Sequence, residues 1–281
     1  MRSVSRAGPG APEAAGDLLR QWRDLRGLSQ LDLALDAGVS QKHVSFVESG
    51  RSRPSPQMVI DLADALDVPL RERNAILLAA GHAPRYSEEA LDAPSLARVT
   101  AALRRMLRQN EPFPAMVMDR QWNVVLVNDA APRFFGCFVD LAARPAPRNL
   151  LHLVFDPAGL RPFVVDWPAT SRMLLARVHR EALGRAVDPE TRQLLEALGR
   201  YPGVDARRRG PEPDAASPLI PLTFAKDGAT LSYFSLVTTV GTPQAVAAEE
   251  LRLECMVPAD EETERDHAAF VRRHARSTAP G

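Results

Sequence analysis

The stretch from Ser29 to Pro54 reads SQLDLALDAGVSQKHVSFVESGRSRP and decides the fold of the first third of the chain. Ser29 is placed to cap a helix, with Asp32 at the reciprocal position of a capping box. Gly38 permits the positive φ at which that helix ends, and Ser40 caps a second helix only two residues later. Two helices joined by so tight a turn cross steeply, which predicts a helix-turn-helix.

The second of these helices has two distinct faces. Val44 and Val47 predict its buried side. The opposite side carries groups that read bases, since glutamine pairs with adenine and lysine reaches guanine or a phosphate. Phe46 could either contact a thymine methyl or pack inward. Arg51 and Arg53 follow in a loop that is well placed for phosphate contact. The candidate DNA-binding residues on this side are Ser40, Gln41, Lys42, His43, Ser45, Phe46, Arg51 and Arg53.

Four short motifs follow one another in this region. They are LSQ at 28–30, AGVS at 37–40, SFVE at 45–48 and GRSRPS at 50–55. Together they resemble the XRE family of lambda-repressor-like DNA-binding domains over residues 14–84. The resemblance implies an all-α domain of five helices, a phosphate contact from Gln30, and an ion pair between Arg23 and Glu48. It assigns base contacts to Gln41, Lys42 and Ser45.

Length and composition predict an ordinary globular protein with two domains. Of the 281 residues, 45% are hydrophobic and 25% charged, and the formal net charge is zero. No apolar run reaches the roughly 18 residues of a membrane span, and residues 1–13 predict a disordered arm. Cys137 and Cys255 lack metal-ligand spacing, so we expect a reduced, cytoplasmic protein with no metal site and no cofactor. Because the charge is so small, we expect a homodimer on a pseudo-palindromic operator.

A helix is also predicted between the two domains. Residues 91–109 have helical spacing of apolar residues within a linker that we place at 85–111. This helix could bridge the two domains or pair with its copy in a dimer. Bridging is the interpretation that we favour.

From residue 112 the hydrophobic pattern becomes that of strands. The runs at 115–119 and 124–128 predict a hairpin, and further strands are predicted at 219–224, 231–239 and 251–257. Helices are predicted between them at 149–155, 167–184 and 189–198. Two strands, then helices, then three strands is the order of a PAS domain. We therefore predict an α+β, PAS-like domain with an antiparallel five-stranded sheet over residues 112–275.

Longer motifs link the two halves of the chain. They are LLAAGHAP at 77–84, VMDRQWNVVLVNDAA at 117–131, NLLHLVFDP at 149–157 and DW at 166–167. This combination resembles the MmyB-like transcription regulators over residues 14–270. The resemblance implies a PAS-like domain that binds fatty-acyl or similarly apolar small molecules. The chain departs from the family between residues 201 and 217, where RRRGP replaces an aromatic-rich segment.

Methionine and phenylalanine dominate the predicted wall of the ligand cavity. Such side chains suit a flexible aliphatic chain, although an ordinary hydrophobic core would use the same residue types. Arg161 and Arg172 are candidates to anchor an acyl carboxylate. The candidate ligand-binding residues are Met116, Met118, Phe134, Phe135, Phe138, Leu150, Leu153, Phe163, Trp167, Met173, Phe234 and Leu236.

No catalytic motif is visible, so we expect a regulator rather than an enzyme and assign no catalytic residue. The sequence predicts a ligand-responsive bacterial transcription regulator that binds double-stranded DNA and an apolar effector and has no membrane partner. Two alternatives remain open at this point. One is a haem-sensing domain with His152 as axial ligand, and the other is a PAS-like domain with a filled cavity that only holds a dimer together.

Overall fold

The computed structural model describes residues 14–183, 189–204 and 221–274. The described chain divides into two compact units. The first comprises residues up to 89 together with 244–249, and the second comprises 90–243 and the residues from 250 onward. The predicted arm at 1–13 and the RRRGP segment at 207–211 lie outside the described residues.

The first unit is built from five helices, as predicted. They are α1 (Ala15–Arg26), α2 (Gln30–Asp36), α3 (Gln41–Glu48), α4 (Pro56–Ala65) and α5 (Leu70–Ala79). Gly16 of α1 lies against the backbone of Val47 and Glu48 in α3, where any Cβ would collide with main-chain atoms. This glycine therefore permits the close approach of α1 to α3. The core that the helices share includes Leu19, Trp22, Leu33, Val44, Val59 and Leu62.

The second unit contains an antiparallel sheet of five strands in the order β2-β1-β5-β4-β3. The strands are β1 (Ala115–Met118), β2 (Val124–Val127), β3 (Leu222–Lys226), β4 (Ala229–Thr239) and β5 (Arg252–Pro258). The predicted α+β fold with its five-stranded sheet is thus confirmed. The third strand begins and ends later than the predicted 219–224, and residues 219–220 lie outside the described chain.

Seven further α-helices lie before, between and after these strands in the described part of the chain. They are α6 (Ala97–Gln109), α7 (Ala130–Gly136), α8 (Leu150–Phe155), α9 (Trp167–Leu183), α10 (Pro189–Gly199), α11 (Val246–Glu250) and α12 (Glu261–His274). One apolar core joins α7, α8, α9, α10 and α12 to one face of the sheet, which we call the inner face. No helix in the described part of the chain is long and apolar enough to cross a membrane.

Helix α6 covers the outer face of the same sheet. Its Leu103 and Leu107 are buried in a cluster with Ala115, Val117 and Leu253. The prediction left this helix to bridge the domains or to pair with its copy. The structure places the apolar side of this helix on the sheet of the second unit, and both bridging and pairing stay predictions.

A distant segment caps the first turn of α5. Pro69 precedes this helix and its side chain offers no cap. The carboxylate of Glu249 instead accepts a hydrogen bond of 2.8 Å from the Leu70 amide, at the positive end of the helix dipole. The amide of Val246 donates to the Ser87 carbonyl over 2.9 Å. Residues 244–249 therefore belong structurally to the helical unit, an arrangement that we did not predict.

Candidate functional site

The α2–α3 turn is fixed by caps that involve neighbouring residues. The hydroxyl of Ser29 accepts from the Asp32 amide over 3.1 Å, and the Asp32 carboxylate accepts from the Ser29 amide over 3.0 Å, so the predicted capping box is confirmed. These hydrogen bonds hold the pKa of Asp32 below its ordinary value. Gly38 has a φ of 67°, and the Ser40 hydroxyl accepts from the His43 amide over 3.2 Å.

Helix α3 presents its polar side to solvent. Val44 and Val47 are buried, whereas Ser40, Gln41, Lys42 and His43 are exposed. Their exposure leaves the donors and acceptors of this surface available to an external partner. We call this surface the reading face and define it by Ser40, Gln41, Lys42, His43, Ser45, Phe46 and Arg51.

Phe46 lies half-buried at the edge of the reading face. The ammonium nitrogen of Lys42 is 5.4 Å from the centroid of its ring, and the guanidinium carbon of Arg51 is 5.9 Å from it. The aromatic ring therefore lies within cation–π distance of two cations. Of the two predicted interpretations of Phe46, this position favours the outward one.

The buried end of α3 is held by a charged network around Glu48. Its carboxylate side chain is only 1% exposed and accepts from Arg23 Nε over 2.6 Å and from Arg23 Nη2 over 3.1 Å. Gln30 Nε2 donates to the same carboxylate over 2.8 Å. Burial alone would raise the pKa of Glu48, but the hydrogen bonds from Arg23 and Gln30 outweigh it and lower the pKa. The predicted ion pair between Arg23 and Glu48 is confirmed.

Two of the predicted DNA-binding residues are engaged within the fold. The side-chain amide of Gln30 is used by Glu48, so its phosphate contact stays a prediction. Arg53 donates from Nε to the Ala80 carbonyl over 2.5 Å and from Nη2 to the Gly81 carbonyl over 2.8 Å. It therefore closes the carboxyl-terminal end of α5, a contact between residues distant in sequence that we did not predict.

The second unit contains an apolar cavity of about 290 Å³ between the inner face of the sheet and helices α7, α8 and α9. Five of the twelve predicted ligand-binding residues line it, namely Met116, Phe135, Leu150, Met173 and Phe234. The lining residues that we did not predict are Trp122, Leu151, Val154, Leu174, Arg177, Arg180, Leu222, Tyr233, Ser235, Glu254 and Met256.

Seven predicted wall residues do not line this cavity. Met118, Phe134 and Phe138 belong to the closed core, where Phe134 has no exposed surface. Leu236 pairs with Cys255, which packs on the outer face of the sheet, and is 54% exposed. The others that lie elsewhere are Leu153, Phe163 and Trp167.

One end of the cavity is charged. Arg177 forms a two-pronged ion pair with Glu254, with nitrogen–oxygen distances of 2.9 and 3.2 Å, and its Nε donates to Glu181 over 3.0 Å. Burial would lower the pKa of Arg177, but the two carboxylates raise it above its ordinary value. Glu181 also pairs with Arg252. The guanidinium carbons of Arg177 and Arg252 lie 4.5 and 4.0 Å from the ring centroid of Trp122.

The predicted carboxylate anchors are not at this charged end. Arg161 donates to the Pro202 carbonyl over 2.6 Å, and neither it nor Arg172 lines the cavity. The cavity arginines, Arg177 and Arg180, follow Met173 at intervals of four and three residues on α9. This helical spacing is the sequence signal that would have found them.

His152 lies outside the apolar cavity. It lines a second cavity of about 270 Å³ beside the loop at 141–149, and its Nδ1 is 3.0 Å from the Tyr201 hydroxyl. Burial lowers the pKa of His152, which favours the neutral ring. Its position does not favour the haem-sensing alternative, because His152 does not line the apolar cavity between the sheet and helices α7, α8 and α9.

Tyr233 lies between the cavity and a buried histidine. Its hydroxyl is 2.6 Å from His267 Nδ1, and His267 Nε2 is 3.1 Å from the Pro112 carbonyl. Burial is the main cause that lowers the pKa of His267 from 6.5. This network ties α12 to the sheet and to the residue that precedes β1 by three positions.

We expect acid to destabilise the second unit through His267 and His152. Both pKa values are lowered by folding, so the unfolded chain binds protons first as the pH falls below about 6.5. The stabilisation is complete above pH 6.5 and is lost as the pH falls through the folded-state pKa values. Urea unfolding between pH 5.5 and 7.5 measures this loss. His267→Gln keeps a hydrogen-bonding side chain and should show a weaker pH dependence; an unchanged dependence would contradict the assignment.

Comparison with known families agrees with both halves of this structure. A family model described as the MmyB-like transcription regulator ligand binding domain matches residues 99–269, and a model described as helix-turn-helix matches residues 19–73. A search of curated proteins found no match. The two models together support a ligand-responsive DNA-binding regulator. Because the first model covers more than half of the 281 residues, the chain belongs to the family of MmyB-like transcription regulators.

Proposed function

We propose that this chain binds a pseudo-palindromic operator as a homodimer and that an apolar, fatty-acyl-like molecule in the cavity changes its affinity for that operator. The observation that carries the proposal is the pairing of an exposed reading face on α3 with an apolar cavity in a separate unit. The role is regulatory rather than catalytic. It extends the family membership to a named mode of DNA binding and a chemical class of effector.

The reading face supports recognition of a major groove. Gln41 and Lys42 occupy the first turn of α3, the part of a recognition helix that contacts base edges in helix-turn-helix proteins. Arg51 lies just beyond the helix and is exposed, as a phosphate contact requires. A single copy offers few such cations on this face, so two reading heads on one operator would supply the affinity.

The cavity supports an aliphatic ligand. Three methionines, Met116, Met173 and Met256, line it, and methionine adapts to irregular apolar shapes. A volume of about 290 Å³ lies at the lower end of the usual range for small-molecule sites. A slender, flexible chain fits these features better than a broad planar cofactor does.

A route for the response runs through β1. Met116 lines the cavity on the inner face, and its neighbour Val117 packs with α6 on the outer face. A ligand that displaces Met116 would therefore shift the surface on which α6 lies. The ligand can change DNA affinity only by its differential affinity for the two arrangements, for which about 1–3 kcal/mol is usual.

Native mass spectrometry of freshly purified protein, followed by ligand titration, tests the effector. We expect a co-purified acyl chain, or an increase in the melting temperature when delipidated protein receives medium- and long-chain acyl compounds. A domain that carries no ligand and is stabilised by none would be the purely dimerising alternative. If a ligand stabilises the protein but leaves its operator affinity unchanged, the cavity binds the ligand, but the ligand does not regulate DNA binding.

Substitutions on the reading face test base recognition. Gln41→Ala and Lys42→Ala should each weaken binding to the selected operator by about 1–3 kcal/mol. Arg51→Ala should weaken operator and scrambled DNA alike and lower the salt slope by about one. Anisotropy titrations at several salt concentrations measure both effects. Gln57→Ala is the matched control, because Gln57 is exposed on α4 and donates to Asp61; equal losses on both duplexes for the first two variants would reject base reading.

A further inference from the structure

Helix α6 carries positive charge only. Its 13 residues include four arginines and no aspartate or glutamate. All four arginines are exposed, and none of their side chains makes a hydrogen bond or an ion pair within the part of the chain that the structure describes. We call these residues the basic stripe and define it by Arg98, Arg104, Arg105 and Arg108.

Helical spacing places the basic stripe opposite the packed side of α6. At 3.6 residues per turn, the four arginines fall within an arc of about 120°. Leu103 and Leu107 project to the other side, where they are buried in the cluster on the sheet. The exposed Ala101 lies between the arginines, so no bulky side chain separates them from a partner. The side of α6 that stays open therefore presents cations.

This concentration of charge is not general in the second unit. Helix α12 also has three arginines in its 14 residues, but it contains four acidic residues as well, and its Arg265 pairs with Glu261 over 3.7 Å. The formal charge of the whole chain is zero. Like charges four residues apart, such as Arg104 and Arg108, destabilise a helix. Helix stability therefore does not explain the basic stripe.

We infer that the basic stripe binds the phosphate backbone of DNA beside the operator, as a second contact outside the reading face. This inference rests on the proposed function, because the reading face must hold the duplex. The stripe is about 15 Å long, a distance over which one DNA strand carries about four phosphates. Arginine pairs with phosphate through two parallel hydrogen bonds. Only the seven residues 90–96 join the helical unit to α6, and seven residues span at most about 25 Å.

The chemistry of the basic stripe favours DNA over other anionic partners. A helix that binds a membrane surface inserts large apolar side chains, but Leu103 and Leu107 are buried on the sheet and a single large apolar residue of α6, Met106, is exposed. A protein interface has an apolar or aromatic core, and the stripe contains no such group. A row of phosphates requires only cations on one side of a helix.

The salt dependence of DNA binding tests the inference. One full-length variant combines Arg104→Gln, Arg105→Gln and Arg108→Gln, since glutamine is a good helix former. Anisotropy titrations use the selected operator in a duplex of about 40 base pairs, roughly four helical turns. Each lost phosphate contact should lower the salt slope by about 0.9. Between about 50 and about 200 mM salt, the wild-type chain should therefore lose roughly 40-fold more affinity than the variant for each bound copy.

Two control variants isolate the basic stripe. Lysine at the same three positions keeps the charges, and it should retain most of the salt slope, because lysine binds phosphate as a point charge. The second control removes three charges from α12 and should leave the slope nearly unchanged, with Arg265→Gln, Arg272→Gln and Arg273→Gln. A duplex trimmed to the operator itself should bind the wild-type chain and the α6 variant alike.

Three results would overturn the inference and leave the proposed function in place. They are an unchanged salt slope in the α6 variant, an equal fall in the α6 and α12 variants, and binding to phosphatidylglycerol vesicles that the α6 variant loses while its DNA binding is unchanged. In each of these cases, base recognition by Gln41 and Lys42 would still be measurable. Failure of the wild-type chain to bind any duplex would reject the proposed function together with the inference.

Discussion

Glu48→Ala should destabilise the helical unit by about 3–5 kcal/mol, because it removes the buried carboxylate that pairs with the partly buried guanidinium of Arg23. The Arg23 side chain is 12% exposed and that of Glu48 is 1% exposed, so solvent cannot replace the lost carboxylate. Gln30 would also lose its acceptor. Since α3 is held by this carboxylate, operator binding should weaken together with stability.

Hydrogen exchange of the α1 and α3 amides in the full-length chain measures this loss locally. Arg23→Met and the double variant complete a mutant cycle with Glu48→Ala. If the pair is as coupled as its geometry indicates, the double variant should cost clearly less than the sum of the two single changes. Additive losses would show that the network contributes little. Asp24→Ala is the matched control, because Asp24 pairs with the same Arg23 but is 62% exposed and should change stability by less than about 1 kcal/mol.

The helical unit could be predicted closely because its decisive interactions are local. Each cap involves residues three positions apart, as between Ser29 and Asp32 or between Ser40 and His43. A short motif therefore contains both partners of the interaction. Short runs rich in β-branched residues likewise predicted the strands of the second unit, since such side chains favour extended backbone.

Contacts between distant residues were not predictable in the same way. The phosphate contact of Arg53 stays a prediction, but its hydrogen bonds to the carbonyls of Ala80 and Gly81 were not predicted. Glu249 caps α5 across 179 positions. Nothing in the local pattern of either residue specifies such a partner.

The residues that line the cavity could not be predicted from residue type alone. Composition predicts that phenylalanine and methionine will be buried, but not which of them will border an empty volume. Phe134 and Phe135 are adjacent, yet only Phe135 lines the cavity. Phe234 and Leu236 are two positions apart on β4, yet only Phe234 lines the cavity.

Phe134→Ala should destabilise the second unit by about 3–5 kcal/mol, the usual cost of removing a fully buried aromatic ring. Phe134 has no exposed surface, and its ring lies at the centre of an aromatic cluster with centroid distances between 5.2 and 6.4 Å. The surrounding rings come from α7, the turn after it, α12 and the sheet, so the protein cannot close the space by moving one element. The neighbours are Phe135, Phe138, Phe224, Tyr233, His267 and Phe270.

Two other phenylalanines separate core packing from ligand binding. Phe163→Ala is the matched control for stability. Because Phe163 is only half-buried, its removal should lower the free energy of unfolding clearly less than the removal of Phe134. Phe135→Ala should alter acyl affinity, because Phe135 lines the cavity. Urea unfolding of each variant with and without dodecanoic acid distinguishes them. Ligand should raise the free energy of unfolding of Phe134→Ala by no more than it raises that of the wild-type chain. A larger increase would show that the lost ring had bordered the ligand. Phe134 would then belong to the cavity wall and not to the closed core.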